Sequence, residues 1–155
     1  MFYSLPLYAY DLFSRQVSYT WNNIGYTYYT YRGDGLRHSK GNLKHYWDNG
    51  NITLEKNGSD VIEYYRGITL VYKDDGDDKT YYLYNGHLDV VNLTDEDGIK
   101  TKTYKYDAFG VEQDEDSYDV NAFRYAGEYF DTESKSIYLR TRYYTSATGR
   151  FTQEE

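Results

Sequence analysis

The chain has 155 residues, 25 of them acidic and 17 basic, for a formal net charge of −8, and it contains no cysteine. That balance disfavours a phosphate backbone or an anionic membrane surface as a partner, and it leaves no disulfide framework or thiolate metal site. Tyrosine is the dominant aromatic, with 23 copies against 6 phenylalanines and 2 tryptophans. Such a composition argues for a core of tyrosine layers whose hydroxyls each need a partner.

In chain order, Met1 to Tyr10 has no positively charged leader and is studded with tyrosines, so it is not read as a signal peptide. No apolar run approaches the roughly 18 residues of a spanning helix. Helical periodicity is absent, and β-branched and aromatic residues dominate. Strands are predicted over Gln16 to Trp21, Tyr26 to Arg32, Asn51 to Lys56, Val61 to Arg66 and Ile68 to Lys73. Further strands are predicted over Thr80 to Tyr84, Leu88 to Thr94, Lys100 to Asp107, Ala122 to Ala126 and Ile137 to Tyr144. Turns separate most of them: Asn49-Gly50, Asn57-Gly58, the loop around Gly76, Asn85-Gly86 and Asp95 to Gly98. Gly110 to Val120, rich in Asp and Glu, reads as a charged loop. The fold class is therefore all-β, an antiparallel hairpin meander.

One theme recurs along the meander: aromatic, turn, glycine, apolar. It appears at Tyr31 to Gly35, Trp47 to Ile52, Tyr84 to Leu88 and Tyr106 to Gly110. Its anchors Tyr31, Trp47, Tyr65, Tyr84, Tyr106 and Tyr125 lie about 16 to 22 residues apart, one hairpin per unit, and such a unit must stack on neighbours to bury its face.

The ordered blocks carry more. Tyr81 to His87, Leu93 to Gly98, Tyr106 to Gly110, Phe123 to Asp131, Tyr138 to Tyr144 and Gly149 to Phe151 resemble the Rhs repeat-associated core of the Rhs/YD-repeat proteins of bacterial polymorphic toxins. That family is related to the B/C cocoon of Tc toxins and to the teneurin YD shell. Before Leu70 the likeness is looser, with Tyr31 to Arg37 and Trp47 to Ile52 as divergent Y-D-x-x-G copies. The resemblance implies a curled shell segment, divergent repeats over 1–79 and core over 80–155, with a C-terminal plug. It also implies a role in enclosing and presenting a C-terminal toxin as part of a larger secreted or cell-surface protein. The implied partners are that toxin or the rest of the shell. Tyr31, Trp47, Tyr84, Tyr106, Asp107, Gly110, Tyr125, Gly127, Tyr143, Tyr144, Gly149 and Phe151 are the expected structural positions.

In the family, an aspartyl-type self-cleavage follows the core, with Asp-Pro after the tyrosine pair and again after the Gly-Arg-Phe strand. Here Thr145-Ser146 stands at the first place, and Glu155 falls where the second Asp is expected. Thr145 cannot ionise, so a proton-sharing carboxylate pair is lost and the expectation is a scaffold rather than an enzyme. Arg140, Arg142, Arg150 and Glu155 are vestigial candidates for that chemistry. Strand alternation places Arg140 and Arg142 on one face, where Glu128 and Asp131 are expected partners.

Two other functions stay open, a self-cleaving aspartyl peptidase and a glycan-binding tyrosine repeat. No metal site is expected, because His38, His45 and His87 lack ligand spacing and the acidic turns do not fit an EF-hand register. No cofactor is expected: Gly33-Asp34-Gly35 lacks the third glycine of a dinucleotide loop. Nucleic acid and membrane insertion are not expected, and unpaired sheet edges point to self-association.

Overall fold

The structure is a computed structural model and describes residues 6–21 and 24–153. Eleven strands follow one another in a single antiparallel sheet, each beside its neighbour in sequence. They are β1 Leu7–Tyr10, β2 Gln16–Trp21, β3 Ile24–Tyr31, β4 Arg37–Lys40, β5 Leu43–Asp48 and β6 Asn51–Asn57. The run continues with β7 Asp60–Arg66, β8 Leu70–Asp74, β9 Lys79–Tyr84, β10 Val90–Thr94 and β11 Lys100–Thr103. A two-stranded arm follows, β12 Lys105–Tyr106 with β13 Glu112–Gln113. The chain then builds a four-stranded sheet from β14 Tyr129–Asp131, β15 Ser136–Tyr138, β16 Tyr143–Thr145 and β17 Arg150–Phe151. The result is an all-β, curled shell segment that does not close into a barrel, with residues 121–153 as its plug.

Alternation decides which residues face the plug. Tyr29, His45, Ile52, Glu55, Tyr64, Leu70, Tyr82, Val90 and Leu93 are buried beneath it. The opposite face carries exposed Tyr26, Tyr28, Tyr46 and Tyr65. Tyr65, expected as an inward anchor, is therefore out of phase. Its neighbour Tyr64 takes the core position, and Tyr65 stacks on Tyr72 across the strand pair at 4.4 Å between ring centroids. The register shift at Tyr65/Arg66 puts its extra residue, Val71, on β8, so Arg66 keeps the inward face of Tyr64 and lies over the Phe123 ring.

Other expectations need correction. Ala122 to Ala126 is not a strand: only Phe123 bridges to Tyr129, and a 3-10 turn spans Tyr125–Gly127 with Ala126 at φ 54°. Ile137 to Tyr144 is two strands, because Arg140 adopts φ 67° and reverses the chain. Lys100 to Asp107 breaks at Tyr104. The charged loop contains β13, and β1, β4, β5, β14 and β17 were not foreseen. Several of these are two to four residues long, too short for alternation to register.

Candidate functional site

The repeated turn is a small hydrogen-bonded machine. In Asp107–Val111 the Asp107 amide donates to the Val111 carbonyl at 3.0 Å, and the Gly110 amide donates back to Asp107 at 3.1 Å. The Asp107 carboxylate accepts from the amides of Phe109 and Val111 at 2.8 and 2.9 Å. Asp11, Asn85 and Asp95 organise their turns in the same way. This explains the aspartate: a short acceptor that satisfies amides the sheet leaves unpaired. The glycine follows from a positive φ three residues on, 85° at Gly110. At Gly110 a Cβ would also lie 2.5 Å from the Tyr125 ring, so two constraints select glycine there.

The aromatic before each turn explains the other half of the motif. Tyr31 donates its hydroxyl to the Gln16 carbonyl at 2.7 Å, Tyr84 to Leu70 at 2.8 Å and Tyr106 to Val90 at 3.0 Å. Trp47 does the same to Arg37 through Nε1 at 2.7 Å, and Arg66 reaches Ile52 at 3.4 Å. The acceptors are the first inward residues after the preceding turns, and all are at most 2% exposed. Each unit thus satisfies a buried polar group of the unit before it.

The plug is fastened to this row by charge. Arg37 and Asp131, both fully buried, pair at 2.5 Å, and Lys40 lies 3.1 Å from the other Asp131 oxygen. Burial would raise the Asp131 carboxyl, but the two cations reverse that and hold it below the ordinary carboxylate value. Arg37 also stacks on Tyr138 at 4.2 Å and donates to the Tyr143 hydroxyl at 3.3 Å. Next along the sheet, Glu55 accepts from Tyr129 of the plug at 2.5 Å and from Tyr64 at 2.6 Å. His45 sits 3.7 Å from Glu55. Burial first, then the nearby Arg37, Lys40 and His38, push its imidazole far below the usual value, so it is neutral. Further along, Phe123 packs edge-on against Tyr64 at 5.0 Å, and Tyr82 donates to Asn121 at 2.7 Å.

The expected site residues scatter. Arg140 pairs with Glu128 at 2.9 Å and donates to the Gly50 carbonyl at 2.9 Å, tying plug to turn. Its left-handed backbone removes it from strand alternation, so it does not share a strand face with Arg142. Asp131, expected beside these arginines, pairs instead with Arg37 and Lys40. Arg142 covers the Phe151 ring at 3.8 Å, and Arg150 is exposed opposite Thr145 in the β16–β17 hairpin. Glu155 lies outside the described residues. Among the expected structural positions, Tyr143 is buried and shares a 2.9 Å hydrogen bond with Tyr31. Tyr144 donates to Phe109 at 2.9 Å, and Phe151 lies 5.7 Å from the Tyr144 ring. Gly127 and Gly149 both adopt positive φ. Arg37, Lys40, His45 and Glu55 were missed. For Arg37 the available signal was a polar residue at the position that Ile52, Leu70 and Val90 hold in other units; Lys40, His45 and Glu55 carried none.

With that geometry in place, known proteins offer comparisons. No protein-family model matches the chain. In an alignment of 137 positions that covers 79% of the chain, it is 34% identical to a tRNA3(Ser)-specific nuclease WapA of Bacillus spizizenii. It is 38% identical over 76 residues to a tRNA(Glu)-specific nuclease WapA of Bacillus subtilis subsp. natto. Its fold matches TcdB2-TccC3 with a TM-score of 0.70 at 19% identity over 94% of the chain. It matches the Photorhabdus luminescens Tc holotoxin pore at 0.71 and 18% identity over 99%. The chain belongs to the Rhs/YD-repeat proteins. It spans 6% and 3% of the two nuclease relatives and 9% of each solved chain. Within the Rhs/YD-repeat fold it supplies consecutive repeats and the segment lying over them. Among the described residues, no helix is long and apolar enough to cross a membrane.

Proposed function

We propose that this Rhs/YD-repeat segment is wall and plug of a shell that encloses and presents a C-terminal toxin, within a larger protein exported for competition between bacteria. It acts as scaffold rather than enzyme. The observation that carries the reading is the Arg37–Asp131 pair: the sheet grips its own C-terminal segment from inside, 94 residues away in sequence. Residues 1–79 are the wall and 80–155 the core segment in functional terms, although β8 and β9 pair directly across that boundary. The relatives' nuclease names belong to those whole proteins, and a charge of −8 here disfavours direct contact with tRNA. Limited proteolysis of the parent protein tests the role. The toxin region is expected to be protected in the wild type and cut in Asp131→Ala; a toxin cut equally fast in both, and as fast as when isolated, would refute enclosure.

The aspartyl peptidase reading is weakened by Thr145, a hydroxyl at a position that needs an acid. Expressing the chain with its native flanking sequence as Thr145→Asp/Glu155→Asp, and finding no new fragment on a denaturing gel, would end it. The glycan reading is weakened by the outer tyrosines. Tyr65 stacks on Tyr72 at 4.4 Å and Tyr81 lies tilted against the Tyr72 ring at 5.2 Å, which leaves less ring face for a sugar.

A further inference from the structure

The aromatic ladder stops at Glu112. This residue follows the Asp107 turn as Val90 follows the Asn85 turn, yet among the described residues no aromatic donates to its carbonyl. Phe123, which precedes the next turn as Tyr106 precedes this one, has no hydroxyl and packs instead against Tyr64 and Tyr129 of the plug interface. Beside Glu112, where the ladder breaks off, lies a cavity of about 200 Å³. Its apolar lining includes Tyr106, Tyr125, Phe130 and Ile137. Two ion pairs, Arg124–Glu112 at 2.8 Å and Lys135–Glu115, cancel charge at its margin. Ser146 contributes a buried hydroxyl without a partner. An apolar cavity of about 150 Å³ takes up benzene, so one aromatic ring fits, and the neutral margin with a single orphan hydroxyl selects a neutral ring bearing one polar group.

We propose that this cavity receives a phenol ring, the side chain of a tyrosine presented by a partner polypeptide, whose hydroxyl pairs with Ser146 Oγ. Tyrosine is the donor at three of the five rungs, Tyr31, Tyr84 and Tyr106, and here the buried Ser146 hydroxyl takes the place of the backbone carbonyl as its partner. The inference stands whether or not the shell encloses a toxin, since it rests on the cavity and the repeat alone.

The probes are p-cresol, toluene and N-acetyl-tyrosinamide, titrated against the chain by ligand-observed NMR and calorimetry. Saturable binding of p-cresol and N-acetyl-tyrosinamide is expected, with toluene about fivefold weaker for want of one hydrogen bond. Ser146→Ala is expected to erase that difference. Ala147→Trp or Val111→Trp, each filling the cavity from an exposed position, is expected to abolish binding with the unfolding transition unchanged. Absence of saturable p-cresol binding, or binding that survives both filling variants, overturns the site. Equal affinities for p-cresol and toluene overturn the hydroxyl pairing. Binding of p-cresol without N-acetyl-tyrosinamide overturns the tyrosyl assignment.

Discussion

At the N-terminal end of the inward row stand Gln16 and Arg37; towards the other end stand Ile52, Leu70 and Val90. All five occupy the same place in their repeats and all are at most 2% exposed, yet they meet the plug through different physics. The polar end pairs Arg37 and Lys40 with Asp131 and leaves a neutral His45 beside Glu55. The apolar end packs aliphatic chains and tyrosine rings against Phe123. A buried ion pair adds little net stability over an apolar replacement, but breaking one is costly. The polar end therefore specifies which segment docks and in what register, while the apolar end supplies most of the hydrophobic drive.

The comparison can be broken most directly at Asp131. Asp131→Ala leaves Arg37 buried without its carboxylate, and urea unfolding is expected to show a loss of about 3–5 kcal/mol. Arg37→Met/Asp131→Leu is expected to recover much of that, which a purely attractive pair would not allow. At the apolar end, Leu70→Ala is expected to cost about 2–5 kcal/mol through its cavity, with little dependence on pH.

Acid sharpens the contrast. The folded-state value of His45 is depressed, so its contribution is fully present above pH 6.5 and is lost as pH falls below it, because the unfolded chain takes up a proton that the core refuses. Stability is expected to fall by about 1.4 kcal/mol per pH unit for that proton. His45→Leu should flatten the slope measured by urea unfolding between pH 6.5 and 4.5. Asp131 acts in the same sense but lower, below the ordinary aspartate value of 3.8, where its depressed carboxyl finally protonates. The smallest effect belongs to the turns. Leu88 holds φ 69° where the other turns mostly use glycine, and Leu88→Gly is expected to raise stability by about 0.5–1 kcal/mol in the same assay.

Much of the wall was legible because its rules are local. Gln16 to Trp21 is a strand to the residue, and the Asp-x-x-Gly turns place the reversals. The aromatic theme also picked out Tyr31, Trp47, Tyr84 and Tyr106, whose hydrogen bonds run one unit back. The plug was not legible in the same way. Its strands are two or three residues long, its reversal at Arg140 lacks a glycine, and Asp131 meets Arg37 across a distance that no spacing rule spans. Tyr64 and Tyr65 show the limit within the wall itself: adjacent tyrosines carry no phase, and the rung in this unit belongs to Arg66, two residues from Tyr64 on the inward face, where an aromatic theme does not look.

The ladder has a direction. In every rung the donor lies later in the chain than the acceptor, Tyr31 to Gln16, Trp47 to Arg37, Arg66 to Ile52, Tyr84 to Leu70, Tyr106 to Val90. A polypeptide leaving the ribosome from its N-terminus therefore completes each unit only when the next one emerges, and the segment that covers them is synthesised after them. The hydrogen bonding thus runs with the order of synthesis, whereas Asp131, Tyr129 and Phe123, which cover the inner face, emerge only after the last rung has formed.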